Sequence, residues 1–172
     1  MVRRREETQR RKGTEEDLLE FLEKKKLKQE EEDREPEKEV LEALGRHFGE
    51  FTVPIWLGDK KATKTDVHPH HQRFFFLHSM IEKLKPHLKA WEKGEIEPDG
   101  SPGILVSIMD PQCSVWELRL KKWASLQQFA LLQGWKQLVQ ANQLKEGQLV
   151  GVWAYRHGPN KKLGFIIQHV SS

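Results

Sequence analysis

Three histidines crowd one short turn, His68, His70 and His71, with Pro69 among them. Imidazole is a common zinc ligand, but a tight site draws convergent ligands from several elements. Cys113, His78 and His87 are scattered along the chain, so no second cluster completes a coordination shell. The turn reads as a polar segment whose partial protonation adds positive charge near neutrality, and no metal is assigned. Catalytic groupings are equally thin. The chain carries no local Ser-His-Asp or Cys-His signature and no glycine-rich phosphate loop. Pro98-Asp99 followed by Glu117-Leu118-Arg119 echoes the nuclease pattern Pro-Asp…Glu-x-Lys. Its last position is arginine, which does not give up a proton as lysine can. No catalytic residue and no cofactor is expected.

The remaining chemistry is charge, and it is unevenly divided. Residues 1–45 hold 12 Lys+Arg against 15 Asp+Glu, a net of −3. Residues 46–172 hold 17 against 11, a net of +6. A basic globular part behind an acidic, highly charged arm fits a polyanion-binding domain with a solvated tail. A length of 172 residues suits one domain plus an appendage. One cysteine cannot form an intrachain disulfide and suits a reducing compartment. No apolar run approaches the length of a membrane span, so no membrane partner is expected.

Residues 1–45 read as a charged arm, partly helical and partly disordered. Thr14-Glu15-Glu16-Asp17 offers a helix start, with Leu18, Leu19 and Leu22 on one face. After Pro36, Val40, Leu41 and Leu44 form a second stripe that ends at Gly45. From Phe51 the pattern becomes short β segments between turn signals. Strands are predicted over 51–57, 73–77, 104–109, 115–121, 129–132, 148–155 and 163–169. Trp116, Leu118 and Leu120 alternate with Glu117, Arg119 and Lys121, the period of a strand with one wet face. Ser79-Met80-Ile81-Glu82 reads as a capping box for a helix carrying Ile81, Leu84 and Leu88. Trp135, Leu138 and Val139 predict a second short helix. Residues 91–102, with Gly94, Pro98, Gly100 and Pro102, read as a loop. The fold expected is mainly β with two short helices, seven strands closing into a small barrel-like sheet.

Several segments carry a resemblance in the same order along the chain. They are Lys61-Ala62-Thr63-Lys64-Thr65-Asp66-Val67 with Arg73, and Ile104-Leu105-Val106-Ser107-Ile108-Met109-Asp110-Pro111. Trp116 to Trp123, Gly134-Trp135 and the strand Val150 to Tyr155 follow. Residues 48–170 thereby resemble the plant B3 DNA-binding domain, in the subgroup once labelled a domain of unknown function. Gln148 stands where that family usually has aspartate, and Leu77-His78 where many members have Pro-Lys. The resemblance implies a seven-stranded open β-pseudobarrel over residues 46–172, flanked by two helices and preceded by the arm.

It also implies two loop-bearing arms that enter the DNA major groove from opposite sides. The first would carry Lys60, Lys61, Thr63, Lys64, Thr65, His71 and Arg73. The second would carry Lys121, Lys122, Trp123, Ser125, Gln127 and Gln128. The lysines suit phosphate neutralisation, and the hydroxyls of Thr63, Thr65 and Ser125 suit phosphate oxygens. Arg73 can pair bidentately with guanine, and Gln127 or Gln128 with adenine. The implied function is sequence-specific binding of double-stranded DNA by a nuclear transcription regulator. Arg3-Arg4-Arg5, Arg10-Arg11-Lys12 and Lys24-Lys25-Lys26 could serve nuclear import, and the arm could contact other proteins. The alternative is a degenerate B3 domain acting as a protein-interaction module, favoured by the neutral Gln127-Gln128 tip.

Overall fold

The computed structural model describes residues 14–27, 34–71, 73–123 and 126–170. The chain falls into two compact units, residues 1–34 and 35–172. In the first, residues 14–27 form one helix, α1, with every residue exposed. Lys24 pairs with Glu20 one turn back at 3.3 Å, a solvated contact that contributes little. Arg3-Arg4-Arg5 and Arg10-Arg11-Lys12 lie outside the described residues.

The second unit is built on one seven-stranded sheet. Its strands are β1 (Ile55–Lys61), β2 (Phe74–Phe75), β3 (Ile104–Met109), β4 (Val115–Trp123), β5 (Gln128–Leu132), β6 (Leu149–His157) and β7 (Lys162–His169). They run in the order β1-β6-β7-β3-β4-β5-β2, all neighbours antiparallel except β3 and β7. All seven predicted strands are present, because alternation and turn residues agree along each. The first begins at Ile55 rather than Phe51, which makes only an isolated bridge to His157.

One face of the curled sheet encloses the main core. Leu57, Phe74, Phe76, Val106, Ile108, Leu118, Leu120, Leu131, Val152, Phe165 and Ile167 meet there. Trp135, Leu138 and Val139 of helix α6 (Trp135–Asn142) and Met80, Ile81 and Leu84 of α4 (His78–Leu84) complete it. The caps differ from expectation. Helix α4 starts at His78 behind Leu77, without a side-chain cap, so Ser79 lies inside it. Residues 91–96 of the segment read as a loop belong to helix α5 (Ala90–Ile96). Glu92, 1% exposed, anchors it by accepting from Arg156 Nη2 at 2.6 Å and Nη1 at 3.0 Å. That partner is 64 residues away, which is why glycine and proline signals misled the local reading.

The opposite face is covered by α2 (Lys38–Phe48), which packs Val40, Ala43 and Leu44 on Trp56, Met109, Trp153, Tyr155 and Ile166. The boundary between units therefore falls between Arg34 and Glu35, upstream of the division after residue 45 expected from composition. A cut at residue 45 would pass through α2. Its stripe is short, but it covers an apolar sheet face that water would otherwise reach.

Candidate nucleic-acid interface

The first expected arm is the connection from β1 to β2. Thr63 caps a single helical turn, α3 (Lys64–Val67). Its hydroxyl accepts from Asp66 N at 3.1 Å, while Asp66 Oδ2 accepts from Thr63 N at 2.8 Å. This reciprocal capping satisfies two backbone donors that the short turn would otherwise leave unpaired. Asp66 is 1% exposed and pairs with Lys60, whose Nζ lies 3.0 Å from Oδ1 and 2.9 Å from Oδ2. The same ammonium donates to Phe75 O at 2.7 Å and lies 4.7 Å from the Phe74 ring centroid. Trp135 Nε1 donates to Asp66 O at 2.7 Å, tying the turn to α6. Ala62 exchanges backbone hydrogen bonds with Gly147 and Gln148, which fixes the arm's start. Gln148 Oε1 accepts from Lys145 N at 2.8 Å, so glutamine holds the turn where the family usually has aspartate.

Lys60 differs from the rest of the expected arm: it is 7% exposed and committed to a buried ion pair, so its charge faces Asp66. Lys61, Thr63, Lys64 and His71 are exposed, and Thr65 is half-buried. His68 sits 5.3 Å from His70 and 5.1 Å from His71 between ring centroids. Partial burial first, then the positive charge of His71, His70 and Lys64, holds its pKa below the ordinary 6.5. Among the described residues no group of three or more His, Cys, Asp or Glu side chains could hold a metal ion.

The second arm is the β4–β5 hairpin, with Lys122 opposite Phe129 and Trp123 opposite Gln128. Lys121, Lys122 and Trp123 are half-buried and Gln127 is exposed. Gln127 takes a left-handed conformation, φ 52°, that closes the turn. Lys122 Nζ lies 3.9 Å from Asp99 Oδ1, a loose pair with a largely exposed carboxylate. Gln128 donates from Nε2 to Phe76 O at 3.1 Å, so that donor is already engaged. Ser125 lies outside the described residues.

The arms meet at Arg73. Its guanidinium carbon stands 4.4 Å from the Trp123 ring centroid and 5.5 Å from that of Phe75. Phe75 and Trp123 in turn meet edge to face at 6.1 Å. Sequence reasoning placed Arg73 and Trp123 in separate arms, and nothing in their spacing signals the contact.

Comparison with known proteins places the sequence in a family. The family model described as B3 domain-containing protein At2g31720-like matches residues 33–170. B3 domain-containing protein At1g05920 of Arabidopsis thaliana is 24% identical over 128 residues, 68% of this chain and 40% of that protein. B3 domain-containing protein At3g25182 of the same plant is 30% identical over 69 residues, 36% of this chain and 20% of its own length. The chain thus spans about a fifth to two fifths of these relatives. A solved Arabidopsis FUS3–DNA complex aligns with a TM-score of 0.46 and 18% identity, covering 67% of this chain and 99% of that one. With a family model matched over most of its length, the chain belongs to the B3 domain family, in its At2g31720-like group.

Proposed function

We propose that this chain is a nuclear, non-enzymatic transcription regulator that binds double-stranded DNA sequence-specifically through the major groove. One observation carries the reading. Segments 61–73 and 121–128, distant in sequence, come together where Arg73 stacks on Trp123. Within these segments Lys61, Lys64, Thr63, His71 and Gln127 are exposed. Cations and hydroxyls of this kind fit phosphates, while arginine and glutamine edges fit bases. Lys60 is left out of the contact set because its ammonium holds Asp66, and the Gln128 amide nitrogen is engaged with Phe76 O.

Selection of random duplex DNA by the full chain tests the reading. An enriched motif, with affinity that falls linearly in log salt, is the expected result. Enrichment of no duplex, with retention of a protein partner instead, would favour the interaction-module alternative. Lys61→Ala, Lys64→Ala and Lys121→Ala should each reduce the salt slope by about 0.9 if each neutralises one phosphate. Unchanged slopes in all three would overturn the two-arm assignment.

A further inference from the structure

We infer that Trp123 is a positioning residue that pre-stacks Arg73 for recognition of a guanine edge, so that one arm sets the specificity of the other. The inference rests on the DNA-binding reading above and adds a coupling between the arms. Arg73 lies just before β2, and its guanidinium reaches the ring of Phe75 within that strand, 5.5 Å from its centroid. Phe75 lies opposite Ala130, and Ala130 lies opposite Lys121 on its other flank. Trp123 is two residues beyond Lys121 and shares its face. The register alone brings the foot of the first arm against the stem of the second.

The chemistry of the contact is specific to arginine. A guanidinium can lay its face on an indole while its donors remain at the edge. Arg73 Nε is buried and has no hydrogen-bond partner among the described residues. The residue as a whole is only half-buried, so part of it remains open to a ligand. An arginine held this way has surrendered much of its rotamer freedom before any DNA arrives. Less ordering is then lost on binding, and a bidentate pair with guanine O6 and N7 gains by that amount. Lysine would keep the charge and lose the planar fork.

The test uses the full chain, the duplex enriched by selection, and a control duplex with adenine replacing its guanines. In the free protein, the Arg73 side-chain NMR signals should carry a ring-current shift that Trp123→Leu abolishes. Trp123→Leu should lose about tenfold in affinity for the selected duplex, and most of its preference over the control. The salt slope should stay as in the parent, since no phosphate contact is removed. Trp123→Phe should restore binding to within about threefold, because a π face is retained. Arg73→Lys should lose the same preference as Trp123→Leu, and the double variant should be no worse than either single one. Comparable melting temperatures would separate positioning from damage to the fold. Additive losses in the double variant, or no rescue by phenylalanine, would overturn the inference and make Trp123 a direct DNA contact. Equal loss on both duplexes with a reduced salt slope would overturn it too, making Arg73 a phosphate contact. Enrichment of no duplex would instead sink the DNA reading itself, whatever the NMR signals of the free protein.

Discussion

The two arms are held by opposite means. The first is a loop with one helical turn, and its described residues between β1 and β2 join no strand ladder. Its foot is fixed by buried polar chemistry: Lys60, Asp66, the Thr63 cap and the Trp135 indole. The second is an extension of two paired strands, β4 and β5, whose ladder supplies the hydrogen bonds. No buried ion pair is found at its foot among the described residues, where Lys122 and Asp99 only approach each other near the surface. A loop that must present charges in one place needs internal charges to hold it, whereas a hairpin inherits its geometry from the sheet.

The sharpest way to break that contrast is Asp66→Ala. It removes the carboxylate partner of the buried Lys60 ammonium and the acceptor of the Thr63 backbone N–H. The expected cost is about 3–5 kcal/mol by denaturant unfolding, the range for opening a buried pair on one side. Lys122→Ala should stay within about 0.5 kcal/mol, as surface changes do. Equal costs at the two feet would mean that the arms are not anchored differently.

A second substitution finds the weak point of the hairpin. Gly103 has φ +75°, and a Cβ there would collide with the Leu120 carbonyl oxygen and come within 3.0 Å of Lys121 Cβ. Gly103→Ala should cost about 1–3 kcal/mol, from strain at a left-handed position and from overpacking. Its effect on DNA affinity should exceed that of Gly49→Ala, where the added methyl meets nothing within 4 Å. If both alanines leave affinity alike, the hairpin stem does not set the second arm's position.

The contrast also explains what was legible. Strand order in the chain, the α6 stripe and the core positions Leu118, Leu120, Trp135 and Leu138 follow from periodicity, which local sequence records. Trp116 is only half-buried, because its indole turns to Asp110 Oδ2 at 2.8 Å. Trp153 is buried as expected, but under α2 and not inside the barrel. Elements whose packing depends on distant partners were misread, α5 as a loop and α2 as part of the arm, and the burial of Lys60 was not foreseen. The local sequence around Lys60, at the end of β1, carries no mark that an aspartate six residues on will pair with it in the interior. The Arg73–Trp123 contact spans the gap between two arms, and no periodic pattern connects them.

The smallest expected effect concerns pH and separates the arms once more. The first arm carries three clustered imidazoles, whereas the described part of the second, within 121–128, has none. His68 is held below 6.5 in the free protein by partial burial and by its cationic neighbours. A phosphate beside the cluster would offset that repulsion and raise the pKa in the complex. Binding would then take up protons, and affinity would be greatest below the free-state value. It would fall as pH climbs through the window between the free and bound values. Titration of DNA affinity at constant ionic strength from about pH 5.5 to pH 8, bracketing ordinary histidine titration, should show this decline. His68→Gln with His70→Gln and His71→Gln should flatten it, and Gln127→Ala should leave it intact. A decline that survives loss of all three imidazoles would place the titrating group elsewhere and remove the histidine turn from the DNA-facing surface.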